Sequence, residues 1–167
     1  MKHSINRVLQ AMIEYDSGDP MRIHHFIKVH AFAAYIGRQE GLDKDTQEIL
    51  ELAAIVHDIG IHLAVENYGS ASAKYQEMIG PGEAEAMLEE LGLPEDVIKR
   101  VSYLVAHHHT YDLVNGPDYQ ILLEADMLVN LYEDRIPPAS QRKAYQMVFR
   151  TETGKKLCRL LYPAAVG

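Results

Sequence analysis

The sequence predicts an all-α fold, a helical bundle in one domain spanning residues 1–167. Three observations point there. Apolar residues recur at helical spacing along most of the chain. The segments that carry them are punctuated by Gly, Pro and Asp. Alternating apolar and polar runs bounded by hairpin turns, the mark of strands, are not evident. An apolar fraction of 47% supports an ordinary core, and a chain of this length buries roughly 70% of its unfolded surface.

The first helix is predicted over Ser4 to Tyr15, with Ile5, Val8, Leu9 and Met12 as its stripe, closed by Asp16-Ser17-Gly18-Asp19-Pro20. The second runs from Pro20 to Gln39, with Asp19 as N-cap and Pro20 in the first turn. One stripe of it reads His25, Val29, Phe32, Ile36, the spacing of a single buried face. His25 therefore faces the core, as either a satisfied core histidine or a metal ligand. His24 lies about 100° away, and both it and His30 read as structural or surface residues. After Gly41, Asp43 or Asp45 caps a third helix that turns Ile49, Leu52, Ala53 and Val56 inward and ends on His57-Asp58. Imidazole nitrogen and carboxylate oxygen both ligate divalent transition metals. At a helix end, where the chain unwinds, both side chains can turn toward one ion. Gly60 fits the C′ position that stops such a helix.

Ile61 to Pro81 reads as loops with one short helix near Ala73 to Met78, because Tyr68-Gly69-Ser70 and Ile79-Gly80-Pro81-Gly82 interrupt it. A compact helix is predicted from Gly82 to Leu91. Pro94-Glu95-Asp96 opens the next, which carries Ile98, Val101, Val105 and His108 on one face and ends in His107-His108-His109. His108, with His107, is expected to line a pocket, and His109 to face solvent or cap the helix. A helix opening at Gly116-Pro117-Asp118 is apolar nearly all round from Ile121 to Leu131, so it should be the central one. Asp126 sits on its stripe Leu122, Asp126, Val129. A buried carboxylate is costly unless paired, and a metal ion or a bond to a neighbouring helix would offset that cost. Glu124 has less reason to point inward. Pro137-Pro138 ends this unit, and helices over Ala139 to Phe149 and Thr153 to Tyr162 are expected to pack outside the core. Lys155 and Lys156 read as a solvated face.

Composition limits the function. A net charge of −8 argues against a polynucleotide or an anionic membrane as partner. The single cysteine, Cys158, excludes an intramolecular disulfide and fits a reducing compartment. Met1 to Pro20 lacks the apolar run of a signal peptide, and no run approaches the about 18 residues of a membrane span. A cytoplasmic location is expected, and no feature specifies an oligomeric state.

His25, then His57-Asp58 after an apolar helix, then Asp126 within Ala125-Asp126-Met127-Leu128, resembles the HD superfamily of metal-dependent phosphohydrolases. The local frames His25-x-x-Lys28-Val29 and His57-Asp58-Ile59-Gly60 add to the likeness, which covers roughly Met21 to Glu133. The resemblance implies an all-helical HD-domain bundle with a core over about 21–133, flanked by an N-terminal helix and C-terminal helices. It implies one divalent ion (Mn, Fe, Mg, Co, Ni or Zn) on His25, His57, Asp58 and Asp126. It also implies hydrolysis of a small phosphate ester or nucleotide, with Asp58, His107 and His108 in catalytic roles. Lys28, His107 and His108 are the expected substrate contacts. Relatives that hold two ions draw a further histidine from the segment between the His-Asp pair and the later histidines. Here that segment has none between His62 and His107, which favours one ion, although His62 or Glu83 could substitute. Many relatives also have Lys where this chain has Ile61. Two other readings are an HD module that binds metal and nucleotide without turnover, and a di-iron oxygenase, which would need a second ion.

Overall fold

The computed structural model describes residues 2–167; Met1 lies outside the described residues. Among the described residues there are nine α-helices and no strand. They are α1 (Lys2–Tyr15), α2 (Pro20–Gln39), α3 (Lys44–Val56), α4 (Ile61–Tyr68) and α5 (Ala73–Glu90). Then come α6 (Glu95–His107), α7 (Pro117–Glu133), α8 (Pro138–Val148) and α9 (Glu152–Leu161), before a 3-10 turn over Pro163–Ala165. The fold is all-α, as the helical periodicity predicts.

Local chemistry sets the helix starts. The Asp19 carboxylate accepts from Arg22 N at 3.1 Å, with Pro20 in the first turn of α2. Asp43, not Asp45, caps α3, accepting from Asp45 N at 3.1 Å and Thr46 N at 3.0 Å. Helix α7 is the central element: Leu122, Ala125, Leu128 and Val129 are all buried, and α2, α3, α8 and α9 pack on it. Helix α6 packs on α3 and α5, and α1 lies over α3 and α5. Val148, Phe149 and Cys158 belong to the same buried cluster. The last two helices therefore contribute to the core that the sequence reading placed them outside.

The segment after the His-Asp pair differs most from expectation. Residues Ile61–Tyr68 form α4 instead of a loop, and α5 runs unbroken from Ala73 to Glu90 through Gly80-Pro81-Gly82. Tertiary packing overrides the breakers here. A Cβ on Gly60 would lie 2.8 Å from Gly80 N and 3.0 Å from Gly80 Cα, and one on Gly80 would lie 2.9 Å from Val105 Cγ1. The two glycines let the turn after α3 press against α5 backbone to backbone. Gly60 is thus not a left-handed C′ residue: its φ of −78° is helical, and it is the N-cap of α4. Its need for glycine is steric.

Candidate metal centre

Two helices and two turns bring the ligand-type residues together. The buried stripe of α2 carries His25, only 2% exposed. Helix α3 ends at Val56, and His57 and Asp58 lie in the turn that follows. Helix α7 supplies Asp126, and His108 lies in the turn just past α6. His25, His57, Asp58 and Asp126 each offer one ligand atom, all within 4.8 Å of one another. Asp58 Oδ2 is 3.1 Å from His25 Nε2 and 3.2 Å from His57 Nε2. Asp126 Oδ1 is 3.2 Å from each of the same two nitrogens.

The tautomers follow from the outer partners. A backbone carbonyl only accepts, so Nδ1–H of His57 donates to Ala54 O at 2.7 Å and Nδ1–H of His108 to Val105 O at 2.7 Å. His25 Nδ1–H donates to Glu133 Oε1 at 2.5 Å. Each neutral ring then presents the lone pair of Nε2 to the cluster. His25 Nε2 and His57 Nε2 stand 3.2 Å apart, so two lone pairs face each other and call for a proton or a cation between them. Asp126 Oδ1 and His108 Nε2 are buried without any hydrogen-bond partner. Buried polar atoms of this kind are rare in folded proteins. Two of them, beside two carboxylates and converging imidazoles, fit a divalent cation of the transition series.

The electrostatics show the same demand for positive charge, which protons meet in the metal-free protein. Burial works to lower the His25 pKa, but Asp126 and Asp58 more than offset it and hold the ring up at about 9. Burial also disfavours the charged forms of His57, Asp58 and Asp126. The mutual attraction of the set wins, keeping His57 well above the usual imidazole range and both carboxyls well below theirs.

Other expected site residues fall differently. Lys28 Nζ is 3.0 Å from Glu133 Oε2 and lies over the Tyr132 ring, so its charge is engaged inside the protein. His107 stacks on Tyr103 and donates Nδ1–H to Tyr103 O at 2.7 Å, which turns the ring away from the cluster. His109 takes the place expected of His107. It is half-buried, bonds Gln76 Oε1 at 3.0 Å, and forms a second ligand-type group with Asp58 and His108. Burial and the adjoining His108 push the His109 pKa down to about 4. Neither His62 nor Glu83 joins this group. His62 Nε2 sits between Asp16 and Asp19, at 3.4 and 3.2 Å, and Glu83 accepts from the Tyr15 hydroxyl. His24 is exposed, and His30 bonds Glu51 at 2.9 Å.

Two further residues stand at the site. Arg22, one turn before His25, places Nη1 3.3 Å from Asp58 Oδ2. Glu133 is the carboxylate behind His25. Glu124, which has less reason in the sequence to point inward, is fully buried, yet it belongs to the scaffold. It accepts from Gln120 Nε2 at 2.6 Å, Arg150 N and Thr151 N at 3.0 Å, and Thr151 Oγ1 at 2.6 Å.

The site sits in a recognised frame. Residues 22–141 match the family model of the HD domain, and the chain belongs to that family. In fold it is similar to the crystal structure of a protein described as a predicted HD superfamily hydrolase from an uncultured Thermotogales bacterium. The two share 24% sequence identity with a TM-score of 0.65, over 99% of this chain and 87% of the other. No curated protein matches the chain. Among the described residues no helix is long and apolar enough to cross a membrane.

Proposed function

We propose that this HD domain is a metal-dependent phosphohydrolase acting on a small phosphate ester or nucleotide. One observation carries the reading: His25, His57, Asp58 and Asp126 offer ligand atoms to one point while a carboxylate oxygen there lacks any donor. The name of the structural relative supports it at the level of reaction type.

Those four residues would hold one divalent ion, which when bound would lower the pKa of water and polarise a phosphoryl oxygen. Asp58 and Asp126 would balance the charge of the ion, so that an incoming phosphate would meet a site that is not strongly anionic. Arg22 takes the anion contact expected of Lys28. One N–H of its fork reaches Asp58, and the others are free to hold phosphoryl oxygen. His108 keeps the Nε2 lone pair without a partner beside Asp58 Oδ1, at 3.3 Å, where it can take the proton of the attacking water and return it to the leaving group. Asp58, His108 and His109 form a second ligand-type group, which would hold a further, weaker ion only at the expense of the proton-carrying role of His108.

The experiment is a hydrolysis panel of phosphomonoesters, nucleotides and phosphodiesters with the metal-loaded protein. Ion-dependent release of phosphate, abolished in a folded Asp58→Ala variant, is the expected result. Tight nucleotide binding with no turnover across the panel would instead make this a binding module.

A further inference from the structure

We propose that Glu133, steadied by Lys28, is a positioning residue that fixes the orientation and donor strength of His25 toward the ion. The inference rests on the metal reading above and concerns residues outside the four-ligand set.

Two neighbouring helices exchange two residues each. Glu133 lies seven residues after Asp126 on α7, which at about 100° per residue returns it to nearly the same face. Lys28 lies three residues after His25 on α2, again on one face. The His25 ring is thereby held between two carboxylates of α7. Its Nε2 faces Asp126 Oδ1 at 3.2 Å, and its Nδ1 meets Glu133 Oε1 at 2.5 Å. The second Glu133 oxygen, Oε2, accepts from Lys28 Nζ at 3.0 Å.

Each contact has a consequence. A ring donating Nδ1–H to a fixed carboxylate cannot flip, so the Nε2 lone pair stays aimed at the ligand set. A carboxylate behind an imidazole also makes the ring a stronger donor than a carbonyl does. His57 and His108 lean on the carbonyls of Ala54 and Val105, and of these three rings only His25 leans on a carboxylate. Lys28 anchors the second oxygen of Glu133 and so holds the carboxylate in place behind the ring. Lys28 is the more exposed partner, its side chain 39% accessible against 18% for Glu133, so its share is the smaller.

The test uses Co(II) as probe. Co(II) affinity is measured by competition with a chelating dye, with the visible spectrum of the loaded protein and the unfolding midpoint of the metal-free protein recorded alongside. Glu133→Gln should weaken Co(II) binding by about 10–100-fold, the usual cost of losing such a partner, and shift the ligand-field bands. Lys28→Met should weaken it by less than Glu133→Gln does, with a band shift of the same sign. Glu133→Ala, should it bind weakly only because it unfolds, is identified by its midpoint, and Glu133→Gln then decides. A folded Glu133→Gln with wild-type affinity and spectrum overturns the positioning role alone. Wild-type protein that takes up no Co(II) overturns both this inference and the metal reading beneath it.

Discussion

Two carboxylates lie two positions apart on α7, both buried, and they should respond to substitution in opposite ways. Glu124, 0% exposed, accepts from two backbone amides, one hydroxyl and one side-chain amide, and ties α7 to the start of α9. Glu124→Ala leaves the amides of Arg150 and Thr151 without an acceptor, at about 1–3 kcal/mol each. Removing a buried carboxylate returns part of its desolvation cost, so a net loss of about 2–4 kcal/mol is expected. At this chain length that lowers the melting temperature by about 4–16 °C. Urea unfolding followed by circular dichroism reads the loss as a lower midpoint at unchanged slope. Gly154 supplies an internal control, since a Cβ there would fall 1.8 Å from Glu124 Oε1. Gly154→Ala should destabilise the wild-type chain and cost less in the Glu124→Ala background, because the nearer clashing oxygen is gone and only Thr151 Oγ1, 2.8 Å away and then released from its bond to Glu124, must still yield. Asp126→Asn, by contrast, keeps the side-chain size and leaves no backbone amide without an acceptor, so its effect should appear first in metal retention. A loss below about 1 kcal/mol for Glu124→Ala, or strict additivity with Gly154→Ala, would refute the scaffold role.

Other outcomes follow from the same geometry. His108→Gln should lower kcat by about 10²–10⁴ with the four-ligand ion retained, read by steady-state kinetics and metal analysis together; loss of that ion would make His108 one of its ligands. Gly60→Ala places a Cβ 2.8 Å from Gly80 N. Its expected cost is about 1–3 kcal/mol in unfolding experiments, with weaker metal retention because the turn carrying His57 and Asp58 must shift. Buried Glu51 would have its pKa raised by burial, but bonds from His30 and Gln47 bring it below the usual 4.5. The stability it adds is complete above pH 4.5 and is lost as pH falls through the lower folded value. Glu51→Gln should therefore flatten that part of the acid-unfolding curve, and an unchanged curve would count against the pairing.

The convergence of His25, His57, Asp58 and Asp126 was legible because two of them lie on apolar stripes and the other two at the end of one. Helical period carries His25 and Asp126 inward, and the apolar run of α3 delivers His57-Asp58. His108 lies beside Asp58 as its stripe suggests, but His107 and His109 exchange places for a physical reason. Helix α6 stops at His107, so His108 and His109 lie in a turn where a 100° step no longer applies. His109 could then swing toward Asp58 while His107 stayed on the helix against Tyr103. Gly80-Pro81 reads as a break in any local pattern, and only the contact of Gly80 with Gly60 and Val105 explains why α5 continues. Glu133 was readable in principle, two turns beyond Asp126 on the same face. Arg22 was not: its stem starts in the first turn of α2, and only its length brings the guanidinium to Asp58. Glu124 and Asp126 look alike as buried acids in an apolar helix. They differ only in the donors that meet them, which come from the distant Arg150-Thr151 turn in one case and are lacking in the other.

The most direct test of the metal site is metal stoichiometry under competition with a chelator, measured on the wild-type chain and on folded His57→Gln and Asp126→Asn. The wild type is expected to retain one tightly held divalent ion, with any second equivalent removed first, and both variants to lose the tight ion. A wild-type chain that holds no ion, or variants that hold as much as the wild type, would contradict a metal centre built on His25, His57, Asp58 and Asp126.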